Sequence, residues 1–235
     1  MRLDDPDDVQ AQYGREGNLE ARRSLWGHAE GDRAPDVLWD TIAELAPRRV
    51  LEVGGGPGEL SARMRDELGA DVSFVDVAPR MVELARGRGL DAQVADVQEL
   101  PFADASFDTV VAAWMLYHVP DLDRGLAEIA RVLEPGGTLV AVTNSVRHVE
   151  ELDRLIGALW DGFDRQFNAE NGEEWLRRHL RQVGRRDVVS RAVVPDRETL
   201  VAYRDSLSKE TRPIPDDVEL PFVVHGRVTI FTAVR

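Results

Sequence analysis

Three acidic side chains and one glycine turn are the groups in this sequence whose types and spacing suggest chemistry. Glu52 stands two places before Gly54, and Gly54-Gly55-Gly56-Pro57-Gly58 follows it. Asp76 comes 22 residues after Gly54, and Asp96 20 residues after that. A glycine-rich turn permits positive φ and lets a ligand approach the backbone closely. The start of the helix behind it supplies unpaired N–H groups and a positive dipole end. The dinucleotide fingerprint G-x-G-x-x-G fails in both registers, because its last position falls on Glu59 or on Ser61. No Gly-Lys-Ser/Thr follows, so a P-loop is excluded as well. What stands here is E-x-G-x-G-x-G. A carboxylate at Glu52 suits a cationic amino acid group better than a pyrophosphate. Asp76 is placed to accept both ribose hydroxyl hydrogens. Asp96 is placed to accept from an adenine amino group, with the Val97 N–H donating to a ring nitrogen. Any one such Asp would ordinarily be a helix cap. Three acids at the ends of three successive strands, behind one glycine turn, point instead to a nucleoside-type cofactor.

The elements that must position these groups read as a regular alternation. RRVLEVG (48–54), DVSFVDV (71–77), DAQVADV (91–97), FDTVVAAWML (107–116) and TLVAVTN (138–144) are short apolar runs of the kind buried strands show. Helical spacing falls between them, at 59–68, 79–86 and 122–133, and 36–45 precedes them. Five repeats of strand and helix demand a parallel sheet with helices on both faces. After Asn144 the rhythm changes. Helices are expected at 148–160, 173–182 and 198–208, strands at 186–194 and 227–235, and a Pro-rich loop at 212–221. The expected fold is an α/β, doubly wound, mostly parallel seven-stranded sheet with an antiparallel terminal strand. Residues 1–235 read as a single domain. It comprises an N-terminal helical lid (1–35), a cofactor-binding core (36–144), and a helical insertion with a substrate-pocket segment (145–225) ending in the last strands.

VLEVGGGPGEL, VDVAPRMVELAR, ADVQELPFADASFDTVVAAWMLYHVPD and ARVLEPGGTLVAVTN resemble, in order and in register, the successive motifs of class I S-adenosylmethionine-dependent methyltransferases. The similarity covers about residues 48–144 and is nearest to small-molecule enzymes of the ubiquinone-biosynthesis type. It implies a Rossmann-like fold and S-adenosylmethionine as cofactor, with S-adenosylhomocysteine as product. It places Glu52, Gly54, Gly56 and Gly58 around the methionine part and Asp76 on the ribose. Ala78 and Met81 fall near the adenine, Asp96 and Val97 at its rim. Backbone of Ala112 and Ala113 comes at the methionine end, and Gly55 and Val77 complete the cofactor set. Tyr13 and Arg22 match an upstream pair that in some relatives closes over the methionine carboxylate. The bland alternative is packing for Tyr13 and a surface charge for Arg22.

Methyl transfer is an in-line displacement, in which alignment alone contributes ~7–11 kcal/mol. A general base is therefore helpful but not required. His118, in WMLYHVP, has the right pKa range for one, against the alternative of a structural histidine. Trp114, Met115 and Tyr117 are placed to form an apolar wall, and Asn144, Arg147 and His148 to contact substrate. Trp160 and Trp175 fall in the insertion, where core packing is the commoner use of tryptophan.

Composition narrows the rest. There is no cysteine, so disulfides, thiolate metal sites and cysteine nucleophiles are excluded. The five histidines (28, 118, 148, 179, 225) form no i,i+4 pair, and no metal is expected. No run of eighteen apolar residues occurs and the N-terminus is acidic, so neither membrane span nor secretory leader is expected, and the location reads as cytoplasmic. The net charge of -14 disfavours nucleic acid. The arginine run 177–186 reads as a solvated helix face. The expected partner is a small-molecule acceptor methylated on O, N or C, and the protein a monomer or homodimer. A cofactor-binding protein of the same fold without methylating activity is the alternative, and an RNA methyltransferase a weaker one.

Overall fold

A computed structural model describes residues 25–26, 29–157, 163–207 and 211–235. Tyr13, Arg22 and Trp160 lie outside the described residues, and so does most of the expected lid. Nine elements build the first part: β1 (Glu30–Gly31), α1 (Ala34–Leu45), β2 (Arg49–Val53), α2 (Glu59–Leu68), β3 (Asp71–Asp76), α3 (Pro79–Gly87), β4 (Asp91–Val94), β5 (Phe107–Ala113) and α4 (Leu122–Val132). Then come β6 (Leu133–Asn144), α5 (Glu150–Ile156), α6 (Gly172–Arg177), β7 (Arg181–Val194), α7 (Arg197–Asp205) and β8 (Phe222–Val234). Single 3-10 turns stand at Leu116–His118 and Phe163–Arg165.

The strands form one sheet in the order β1-β7-β8-β6-β5-β2-β3-β4. Pairings among β2, β3, β4, β5 and β6 are parallel, while β8 runs antiparallel to both β6 and β7. The sheet has eight strands rather than the expected seven, because Glu30 and Gly31 pair with Arg191 and Ser190 to add a two-residue edge. Its antiparallel part is also larger than one terminal strand.

Period-two alternation explains the two-sided burial. Val50, Val111, Val140 and Val142 pack with Val37, Leu38 and Ile42 of α1 and with Met64 of α2. Their neighbours Leu51, Val110, Leu139 and Ala141 pack the other way, onto Leu126, Ile129 and Val132 of α4. Each such fully buried aliphatic contributes about 1.5–3 kcal/mol. Inside the helices the spacing is less regular than the sequence suggests: Leu45 is exposed, and Ser61 rather than Leu60 is the buried companion of Met64.

The elements after Asn144 depart furthest from expectation. α5 is seven residues long, bounded by Val149 and Gly157, both at positive φ. α6 stops at Arg177, because Arg181 already pairs with Val234. β7 therefore begins five residues before the expected Arg186, with a register shift between Arg181 and Gly184. No described helix is long and apolar enough to cross a membrane.

Candidate functional site

The parallel strands β2, β3, β5 and β6 all end at one edge of the sheet. Registered pairing of β2 with β5 stops at Glu52–Val111, whereas β5 continues beside β6 to Ala113–Val142. Beyond that point β2 leads to β3 and β4 on one side, and β5 to β6 on the other. This is the topological switch point, where open α/β sheets bind ligands.

The glycine turn sits there between β2 and α2. Gly54, Gly56 and Gly58 have φ of 63, 59 and 79°, a region other residues adopt at a cost of about 1–2 kcal/mol. Their surroundings differ. A Cβ on Gly58 would come within 2.8 Å of Leu90 and 3.0 Å of Ala85, and one on Gly54 within 2.8 Å of Met115. A Cβ on Gly56 would meet nothing within 4 Å, so the turn is open at that residue. Gly54 is tied by its N–H to the Val75 carbonyl, 2.8 Å away, which joins the turn to β3.

Glu52 is 1% exposed and lies beneath this turn. A Cβ on Gly55 would come within 2.4 Å of its carboxylate carbon, so glycine at 55 is what makes room for the acid. The Ser61 hydroxyl donates to the Glu52 carboxylate from the first turn of α2. Burial pushes the Glu52 carboxyl up to about 7, against the opposing bond from Ser61, with the Asp76 charge adding a smaller push in the same direction. Asp76, at the end of β3, accepts from the Ala78 N–H at 2.8 Å and from the Gly56 N–H. Burial raises it to about 6 despite those bonds. Two acids are thus held below and beside one turn, each with lone pairs left over in a poorly solvated place.

The other expected cofactor residues divide into two groups. Ala78 and Met81 are buried and Val77 is half exposed at 49%, all following Asp76. β4 ends at Val94, three residues earlier than expected, so Asp96 and Val97 lie on the loop beyond it. The Asp96 carboxylate is exposed and accepts from both the backbone and side-chain N–H of Gln98, each at 2.8 Å, while the Val97 side chain is buried. Ala112 and Ala113 are the last residues of β5, where no pairing with β2 remains.

On the other side of the switch point, Trp114 adopts φ 55°. Its N–H bonds the Val142 carbonyl at 2.9 Å and its indole N–H donates to Asn144 Oδ1 at 3.3 Å. An aromatic residue in the left-handed region is strained, and such strain concentrates at functional turns. His118 closes the 3-10 turn, with its ring centroid 4.4 Å from that of Tyr117, which also meets Phe163 at 5.5 Å. The remaining pair turns elsewhere. Arg147 is exposed and bridges Glu150 at 3.0 Å. His148 packs its Nδ1 against the Arg227 backbone, 3.0 Å from the N–H, and its ring near Trp26. Burial drives His148 down to about 4. Trp175 packs against the core beside α4 and under Arg178. Ser61 and Met115 are the turn's supports; Ser61 carried no sequence signal.

A sheet in this order, with a Glu-x-Gly-x-Gly-x-Gly turn at its switch point, is a Rossmann-like α/β fold with the architecture of solved S-adenosylmethionine-dependent methyltransferases. Residues 51–141 match the family model described as methyltransferase domain. The methyltransferase GfsG of Streptomyces halstedii is 37% identical over 141 residues, covering 57% of this chain and 50% of that protein. The ubiquinone biosynthesis O-methyltransferase of Xanthomonas oryzae pv. oryzae is 39% identical over 138 residues, covering 52% and 57%. The chain spans about half the length of these curated relatives. Among solved structures, that of the [4+2]-cyclase SpnF superposes with a TM-score of 0.65 at 22% identity, covering 97% of this chain and 94% of that one.

Proposed function

We propose that the whole chain transfers a methyl group from S-adenosylmethionine to O, N or C of a small organic acceptor. The observation that carries this is the open glycine turn at Gly56 flanked by two buried carboxylates. The residues present fit the cofactor: a side chain at Gly56 would fill a cradle that nothing in the protein occupies, and Asp76 keeps acceptor capacity beside it. When bound, S-adenosylmethionine supplies a methyl group on a sulfonium, activated for displacement.

The protein's own residues would hold and align. Gly54, Gly56 and Gly58 let the backbone approach the methionine part, and Asp76 accepts from the ribose hydroxyls. Val77, Ala78 and Met81 border the adenine, with the Asp96–Val97 loop at its rim. Glu52 acts from below, fixing the turn through Ser61 and Gly55 and lending negative charge to a cationic ligand. Ala112 and Ala113 offer backbone at the methionine end, with Tyr13 and Arg22 as the upstream closure. Trp114, Tyr117 and Asn144 form the wall that orients an acceptor and excludes water. His118 is the candidate proton acceptor for a hydroxyl or amine substrate. The segments 1–35 and 145–225 supply lid and pocket. The location is cytoplasmic, the protein a monomer or homodimer.

Calorimetry with S-adenosylhomocysteine tests the cofactor half of this reading; no heat of binding at millimolar ligand would end it. Tritium transfer from methyl-labelled cofactor into a panel of small acceptors tests the other half. Binding without transfer across the panel would favour a non-methylating role on this scaffold, since fold does not fix function.

A further inference from the structure

Among the described residues Arg227 is a cation without an acid, in a chain that has 43 acidic residues to 29 Lys and Arg. Its Nε is buried and has no hydrogen-bond partner. A buried unpaired donor is costly, and more so when the group is charged, so its persistence calls for an explanation. The neighbours sharpen the point. On the face of the β7–β8 ribbon that carries Arg227, three other basic groups each have a carboxylate: Arg185 with Asp187 at 2.9 Å, Arg191 with Glu30 at 2.7 Å, and His225 with Glu151 at 2.6 Å. Arg227 forms no such pair among the described residues.

Its place in the fold is at the edge where the site lies. The Arg227 carbonyl accepts from the Ser145 N–H at 3.0 Å, immediately beyond the last β6–β8 pair, Asn144–Val228. β8 is two strand spacings from β5, about 10 Å, so Arg227 and Trp114 stand at the same edge of the sheet. Directly opposite it on β7 is Val189, an exposed valine. An exposed valine beside one unpaired guanidinium fits a ligand with an apolar body and anionic oxygens, which a guanidinium fork grips in bidentate fashion.

We propose that Arg227 and Val189 form an anion subsite for the acceptor, which is a small apolar carboxylic acid. This rests on the methyltransferase reading above and names its substrate class. Benzoate serves as the probe, with benzyl alcohol as its neutral counterpart and phenyl phosphate as the phosphate-ester counterpart. Titrated into the protein saturated with S-adenosylhomocysteine, benzoate should shift the Val189 methyl signals. In Arg227→Gln its affinity should fall by about tenfold or more, and Arg227→Lys should recover part of the loss. Benzyl alcohol should bind weakly and equally in all three proteins. Unmoved valine signals in the wild type, undiminished affinity in Arg227→Gln, or benzyl alcohol binding as tightly as benzoate would each overturn the subsite. A stronger Arg227-dependent response to phenyl phosphate would overturn the carboxylate assignment in favour of a phosphate ester. S-adenosylhomocysteine is titrated separately into each protein. Equal affinities assign the loss to Arg227, whereas its failure to bind the wild type counts against the methyltransferase reading rather than against the anion site.

Discussion

Glu52 is an acid kept where it is poorly solvated, and its ionisation has a direction that can be measured. Its carboxyl is raised from about 4.5 to about 7, chiefly by burial. The folded protein therefore holds a proton that the unfolded chain has released. The stability this contributes is full below about 4.5 and is lost as the pH rises through 7, by up to about 3 kcal/mol. Glu52→Gln keeps the shape and an acceptor for Ser61 while removing the charge. In the ligand-free protein it should raise the urea midpoint at pH 8 and leave it nearly unchanged at pH 4.5; equal loss at both pH values would refute a buried, proton-binding Glu52. Cofactor affinity should move the opposite way: a cationic ligand favours the carboxylate, so binding strengthens as the pH rises through 6 to 7 and weakens in Glu52→Gln. The glycines next to it separate folding from binding. Gly56→Arg places its side chain in open space, so the fold should survive with at most about 1–3 kcal/mol of backbone strain while S-adenosylhomocysteine binding disappears from calorimetry. Gly55→Ala drives a methyl into the Glu52 carboxylate and should lower the melting temperature first. At this scale the glycine spacing and the acids at 52 and 76 were legible, because backbone conformation and strand ends dictate residue type there. The Ser61 bond was not, since a serine on a helix stripe has no signature of what it meets.

The elements show why some expectations held and others moved. Strands β2, β3, β5 and β6 are buried on both faces, so their apolar runs stand out from sequence alone. Beyond Asn144 the helices are short and their limits come from pairing between β7 and β8, which is long-range and has no local pattern. His148 belongs to that region. It looked like a substrate contact because it follows β6, but it is tied to the Arg227 backbone and joins the start of α5 to β8. Burial lowers it from 6.5 to about 4, the opposite sense to Glu52. Here the folded protein refuses a proton that the unfolded chain accepts. The stability is present above about 6.5 and is lost as the pH falls through 4, by up to about 3 kcal/mol. His148→Asn can accept from the same N–H and has no proton to gain. Denaturant midpoints measured from pH 7 to pH 4 should show a shallower acid decline in the variant; an unchanged slope would mean that the link between α5 and β8 does not depend on a neutral imidazole.

At the scale of the whole molecule, charge decides what kind of acceptor can approach. A net charge of -14 repels polyanions, and the one arginine-rich run in the sequence gives little relief. Arg177 is paired with Glu173, Arg178 with Asp123 and Glu174, and Arg185 with Asp187. With three of its five arginines neutralised in this way, the run has few contacts to exchange for the condensed counterions of a phosphate backbone. An RNA substrate needs that exchange, and it appears as a steep fall of affinity with salt. Filter binding of bulk tRNA, from low to physiological ionic strength, should show weak retention with no steep salt slope. Tight retention at low salt that collapses on adding salt would instead assign a nucleic-acid acceptor. A small acid is different, because a single charge-assisted contact holds it at a range well below the Debye length of about 10 Å at 0.1 M. Benzoate binding should therefore respond to Arg227→Gln far more than to salt. A benzoate affinity that fell with salt as strongly as it fell in the variant would place the anion on the open surface, and not at the edge where the methyl group is delivered.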